Sequence, residues 1–234
     1  MKRRYVAGLV GALLATATLS HAAEPKGALS APDALAKLAK GNAAFVAEAL
    51  RHPDQTGARR TKTAAGQNPF AIVLCCSDSR VPPEVLFDQG LGDLFVIRVA
   101  GNIVASSQVG SVEFAASRYG TRLVVVLGHT QCGAILATLE ELQQPTAGQS
   151  PNLRAIVDRL RPSVAGLLET ELRHHPDALV RQAVRANIRA SADHLRHGSP
   201  ILERLCEEEG LVILGAEYSL ETGLVDFFDG VSGG

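Results

Sequence analysis

The period of the apolar positions changes several times along the chain, and the changes divide it. Val6 to Leu19 is an Ala/Gly/Leu-rich run with no charge. Beyond it, Leu35, Leu38, Ala43, Phe45, Val46 and Leu50 recur at helical spacing, with Pro32 and Asp33 at the start and Ser30 placed to cap it. Residues 52–66, HPDQTGARRTKTAAG, are polar and predict an irregular segment. Short apolar runs then alternate with longer amphipathic ones. Phe70–Leu74, Leu94–Val99, Leu123–Leu127, Leu211–Leu214 and Leu224–Phe227 predict strands, the last entered through a turn at Glu221-Thr222-Gly223. Between them, Pro83–Phe87 predicts a helical turn, and helices are predicted over Gln108–Tyr119, Ala134–Glu141, 152–173, 176–197 and 199–209.

Continuous apolar runs such as LVVVL (123–127) suit strands covered on both faces, which is the environment of a parallel sheet. Their alternation with helices predicts an α/β fold: a mostly parallel central sheet of four to five strands flanked by helices, with an N-terminal helical arm. No linker or repeat interrupts the pattern, so residues 23–66 are read as the arm of a single domain at 67–234.

The N-terminal run differs in kind. Lys2, Arg3 and Arg4 precede it, and Ser20-His21-Ala22 follows with small residues where a signal peptidase reads. Residues 1–22 therefore predict a cleaved secretory signal peptide and a periplasmic or secreted protein, with no stable membrane insertion after cleavage. A membrane span needs about 20 apolar residues, more than this run holds. Removing Lys2, Arg3 and Arg4 from 23 basic residues leaves 20 against 24 acidic ones, a net −4. Nothing in that balance points to a nucleic-acid partner. Export favours disulfides, but four cysteines in so long a chain make no disulfide scaffold.

Two clusters follow predicted strands. Cys76-Ser77-Asp78-Ser79-Arg80 follows the first, and His129-Thr130-Gln131-Cys132-Gly133 the third. Ligands of open parallel sheets bind at the carboxyl ends of the strands, so adjacent strands would join the two loops. Cys76, His129 and Cys132 then form a Cys₂His set. Three protein ligands with one open position is the arrangement of catalytic zinc, and thiolate with imidazole favours zinc over hard cations. A structural zinc would need a fourth ligand, for which Asp78 is placed; pairing with Arg80 would instead hold Asp78 ionised as a hydrogen-bond acceptor. Cys75, at the strand end, points away from Cys76 by alternation. A thiol oxidoreductase using Cys75 and Cys76 would lack the C-x-x-C spacing.

CSDSR (76–80) with HTQCG (129–133), together with FVIRVAGNIV (95–104), GSVEFAASRYG (110–120) and GAEYSLETGLV (215–225), resembles the β-class carbonic anhydrases over roughly residues 30–229. The resemblance implies one zinc per chain on Cys76, His129 and Cys132, beside a catalytic pair, Asp78 and Arg80. It implies Gln67, Phe95, Phe114 and the backbone of Gly133 as the substrate pocket. It implies carbon dioxide and bicarbonate as substrates, hydrated by zinc-bound hydroxide, in a pocket at the interface of a homodimer or a dimer of dimers. Relatives often carry Tyr where Phe114 stands. Members that swing the aspartate onto zinc have a Trp three residues before the first cysteine; here that residue is Val73 and the chain has no Trp. An open site with Asp78 paired to Arg80 is the resulting expectation. A hydrolase of CS₂ or COS on the same fold, and an exported zinc-binding protein without catalysis, are the alternative readings.

Overall fold

The computed structural model describes residues 29–145 and 150–231, so the apolar N-terminal run and the cleavage point expected at Ala22 lie outside the described residues. Among these, five strands make one sheet in the order β2-β1-β3-β4-β5. They are β1 Ala71–Cys75, β2 Leu94–Arg98, β3 Leu123–His129, β4 Val212–Tyr218 and β5 Val225–Asp229. All pairs are parallel except β4 with β5, an antiparallel hairpin. This is the mostly parallel sheet that the apolar runs predict. Every residue of β3 is buried, as befits its central place.

Alternation along β1 feeds two apolar layers. Ile72, Leu74 and Cys76 join Val124, Val126 and Ile213 in one layer. It is covered by α4 (Ser106–Tyr119), α5 (Gly133–Gln143), α6 (Pro151–Val164), α7 (Pro176–His197) and α8 (Pro200–Glu208). Ala71, Val73 and Cys75 join Leu123, Val125 and Leu127 in the other, under α1 (Ala31–Val46) and α3 (Pro83–Leu86). The Ser30 hydroxyl caps α1, accepting the Asp33 N–H at 3.3 Å.

Three expectations change. Residues 52–66 contain a short helix, α2 (Gly57–Thr63), capped by Thr56. It buries no side chain, so hydrophobic spacing carries no trace of it. The helix expected over 152–173 ends at Val164 and continues as two 3₁₀ turns, 165–169 and 171–174. Pro162 removes one backbone donor inside α6, and Gly166 follows. The fourth strand runs four residues further than its apolar start, because Gly215, Ala216, Glu217 and Tyr218 pair with Val126, Leu127, Gly128 and His129.

α7 lies against β3 and β4 close to the end of β3. A Cβ on Gly128 would sit 2.5 Å from Cδ1 of the fully buried Ile188. Glycine at 128 lets α7 close over the residue that precedes His129.

Candidate metal centre

Strand order makes β1 and β3 neighbours, with Cys75 level with Leu127. The next residue on one chain is Cys76, and two further on the other is His129. Gln131 then takes a left-handed conformation, φ 54°, which turns the chain back so that Cys132 opens α5 as its N-cap residue. The sulfurs of Cys76 and Cys132 and a ring nitrogen of His129 lie within 4.8 Å of one another, all three residues buried.

The donor chemistry of this trio fits a soft divalent metal. His129 Nδ1 lies 2.8 Å from the Thr130 carbonyl oxygen. A carbonyl can only accept, so Nδ1 carries a proton, and in the neutral ring that binds metal Nε2 holds the lone pair. That Nε2 is buried and has no hydrogen-bond partner among the described residues. Such a lone pair costs free energy unless something fills it. Burial pushes the His129 pKa down, but Cys76 and the Thr130 carbonyl outweigh it and leave it raised. The neighbouring Cys132 thiol holds the Cys76 pKa well below the usual thiol range, and the same closeness pushes Cys132 up. Metal binding would release the thiol protons. The Gly101 N–H also donates to Cys76 Sγ, at 3.3 Å. Gly101 adopts φ 67°, and its carbonyl is held at 2.8 Å by the Asn187 amide of α7.

Asp78 stands beside the trio, its Oδ2 3.8 Å from His129 Nε2. The D-x-R spacing gives it its own clamp. Asp78 Oδ1 accepts the Arg80 backbone N–H at 3.0 Å, an Asx turn, and the Arg80 Nε–H at 2.9 Å. Asp78 Oδ2 accepts from Arg80 Nη2 at 2.8 Å, completing a bidentate pair. The Arg80 hydrogen bonds hold the Asp78 carboxyl well below the usual carboxylate range. Arg98 clamps the same loop from β2, at the rung opposite Cys75. Its Nε donates to the Cys76 carbonyl at 3.2 Å and its Nη2 to the Asp78 carbonyl at 2.6 Å. No local spacing marks Arg98 for this role; strand pairing gives it.

Cys75 is fully buried in the opposite layer, and burial pushes its pKa up to about 12. Val73 lies in that layer too, fully buried.

Gln67, Phe95 and Phe114 come together, but away from the trio. Their centre is Tyr119, which sequence reasoning did not single out. Its hydroxyl accepts from Gln67 Nε2 at 3.0 Å, and its ring lies 6.2 Å from Phe95 and 5.7 Å from Phe114. Phe95 pairs with Ile72 near the start of β1, and Gln67 precedes that strand. The length of β1, about 13 Å at 3.3 Å per residue, separates this cluster from the ligand end. A cavity of about 870 Å³ opens beside Gln67 and Tyr119, and Phe114 is 53% exposed. Gly133 is on the ligand side instead. It begins α5, whose first-turn N–H groups lack partners within the helix, and a Cβ there would meet nothing within 4 Å. His174, His175, His194 and His197 are exposed on the helical side.

A Cys₂His trio at the strand ends of an α/β sheet, with an arginine-held carboxylate beside it, has the donor set of a catalytic zinc enzyme. Residues 71–225 match the family model described as carbonic anhydrase. Carbonic anhydrase 2 of Mycobacterium tuberculosis is 38% identical over 186 residues, covering 80% of this chain and 87% of that one. The structure of the β-carbonic anhydrase CcaA superposes with a TM-score of 0.63 at 27% identity, over 74% of this chain and 82% of that one. One of two tetrameric β-carbonic anhydrases from Sordaria macrospora shares the fold, with a TM-score of 0.64 at 24% identity over 72% and 85% of the two chains. The chain belongs to the β-carbonic anhydrase family, zinc enzymes that interconvert carbon dioxide and bicarbonate.

Proposed function

We propose that this chain hydrates carbon dioxide to bicarbonate at one zinc held by Cys76, His129 and Cys132, with the pocket completed by a second copy of the chain. The observation that carries the metal assignment is the buried, unpartnered Nε2 of His129 facing two thiols. Bound there, zinc would supply Lewis acidity, which lowers the pKa of a coordinated water from 15.7 towards about 7.

The surrounding residues then divide the work. Asp78, kept ionised by Arg80, can only accept hydrogen bonds. It therefore favours a group that presents a proton to it at the open corner of the trio. Arg80 fixes the direction of both carboxylate oxygens, and Arg98 fixes the backbone that carries them. The Gly133 N–H, at the positive end of α5, would donate to the developing charge of bicarbonate.

The separation of Gln67, Phe95 and Phe114 from their own trio supports the dimer. In that reading each protomer lends its Gln67 amide and aromatic wall to its partner's zinc. Gln67→Ala and Cys76→Ala are each expected to be inactive alone. Mixed dimers formed by co-expression would regain about a quarter of the sites, because half the dimers are mixed and each has one intact site. No recovery in mixed dimers of measured composition would refute the shared pocket.

The basic, apolar and small-residue succession of residues 1–22 supports export to the periplasm or medium, with 23–66 and 67–234 forming one mature unit. Cell fractionation and N-terminal sequencing test this: the expected product starts at Ala23 outside the cytoplasm, and an uncleaved cytoplasmic chain would refute it.

A further inference from the structure

We propose that Glu221, in the turn between β4 and β5, is a positioning residue for the metal ligand His129 and acts through Thr130.

Only Thr130 and Gln131 separate the ligands His129 and Cys132, so Thr130 sets how the ligand loop leaves β3. Its backbone carbonyl accepts the proton on His129 Nδ1 at 2.8 Å and thereby fixes the ring plane and the tautomer. The orientation of that carbonyl depends on what holds Thr130 itself. Its backbone N–H donates to the Tyr218 carbonyl at 3.0 Å, extending the β3–β4 ladder by one bond. Its hydroxyl makes two more bonds, both to the turn. Oγ1 accepts the Leu220 N–H at 3.0 Å and donates its proton to Glu221 Oε2 at 2.8 Å. Ser219 Oγ donates to the same Glu221 oxygen at 3.1 Å.

A hydroxyl has one proton to give. With that proton committed to the Glu221 carboxylate, a lone pair of Oγ1 is aimed at the Leu220 N–H. Without the carboxylate the hydroxyl can rotate, and the carbonyl that holds the His129 ring loses an anchor. The turn does not need Glu221 for its own shape. Ser219 N–H to the Leu224 carbonyl and Gly223 N–H to the Ser219 carbonyl, both 2.9 Å, close it through the backbone. The chain of contacts is therefore carboxylate to hydroxyl to carbonyl to ligand ring, the outer-shell arrangement by which proteins tune metal affinity.

The proposal rests on zinc being held by the trio, and the test keeps the two apart. Zinc release to a chelator is timed in the full chain for wild type, Glu221→Ala, Glu221→Gln, Thr130→Ser, and Thr130→Val with and without Glu221→Ala. Visible spectra of the cobalt(II)-substituted proteins are recorded in parallel. Glu221→Ala is expected to speed zinc release about tenfold, at the lower end of effects seen for such partners, and to shift the cobalt bands. Thr130→Ser keeps the hydroxyl and should stay near wild type. Adding Glu221→Ala to Thr130→Val should change release by less than about twofold, since its route is already cut. Asp226→Asn removes a carboxylate of the same hairpin that pairs with Arg185, and should leave release and spectrum unchanged. Unchanged release and spectrum in Glu221→Ala would overturn the proposal, as would multiplying effects in the double variant. A wild type that holds no zinc would overturn the trio assignment itself.

Discussion

Cys75 and Cys76 are adjacent in sequence, yet substitution of each should have a different consequence. Cys75 is fully buried in the layer under α1 and α3, and its thiol is neutral at physiological pH with a pKa of about 12. Cys75→Ala removes one methylene-sized group from a closed layer. The transfer loss is about 0.8 kcal/mol, and the residual cavity adds a similar amount, so about 1.5 kcal/mol in all. In a chain of this length that lowers the melting temperature by about 3–6 °C. Zinc content should stay at one per chain. Cys76→Ala takes one of three ligands from the trio and leaves Cys132 without its sulfur partner. Zinc content should fall towards zero. Metal analysis by mass spectrometry and a thermal melt on both variants decide the matter. Equal zinc loss in the two variants would mean that β1 does not present its side chains as the two layers require.

Gly128→Ala should destabilise by about 1–3 kcal/mol in denaturant titration, because the new methyl meets Ile188 at 2.5 Å, and Ile188→Ala should restore part of the loss. The Asp78–Arg80 pair should persist through mild acid. The folded pKa of Asp78 is depressed, so its stabilising contribution is complete above the unfolded value of about 3.9 and is lost only as pH falls through the lower folded value. Asp78 should therefore stay ionised between pH 7 and 5, and infrared difference spectra against Asp78→Asn should show no carboxylate protonating at this position in that window; a protonation band there would contradict this. Asp78→Asn should still lower kcat/KM by about 10–100-fold at full zinc occupancy, measured by stopped-flow hydration. Tyr119→Phe removes the acceptor for the Gln67 amide and should lower kcat/KM with zinc content unchanged.

The layout of the sheet was legible because its central strands are buried on both faces and read as unbroken apolar runs, LVVVL above all. The ligand trio was legible because C-x-D-x-R and H-x-x-C each sit just beyond such a run. Even the Asp78–Arg80 clamp is local, since an Asx turn and a two-residue spacing bring the guanidinium onto the carboxylate. What lay hidden depends on pairing across the chain. Arg98 acts through its register opposite Cys75, and Thr130 meets Glu221 across 91 positions. The amphipathic spacing of 152–173 concealed the break at Val164, where Pro162 and Gly166 are the only marks. Helix α2 carried no apolar signal because it buries nothing.

Zinc titration of the metal-stripped protein, with carbon dioxide hydration followed by stopped flow, tests the central claim most directly. Activity should rise linearly and stop at one zinc per chain, and Cys76→Ala should stay at the uncatalysed rate throughout. Full activity in the stripped protein, or zinc-dependent activity in Cys76→Ala equal to wild type, would contradict it.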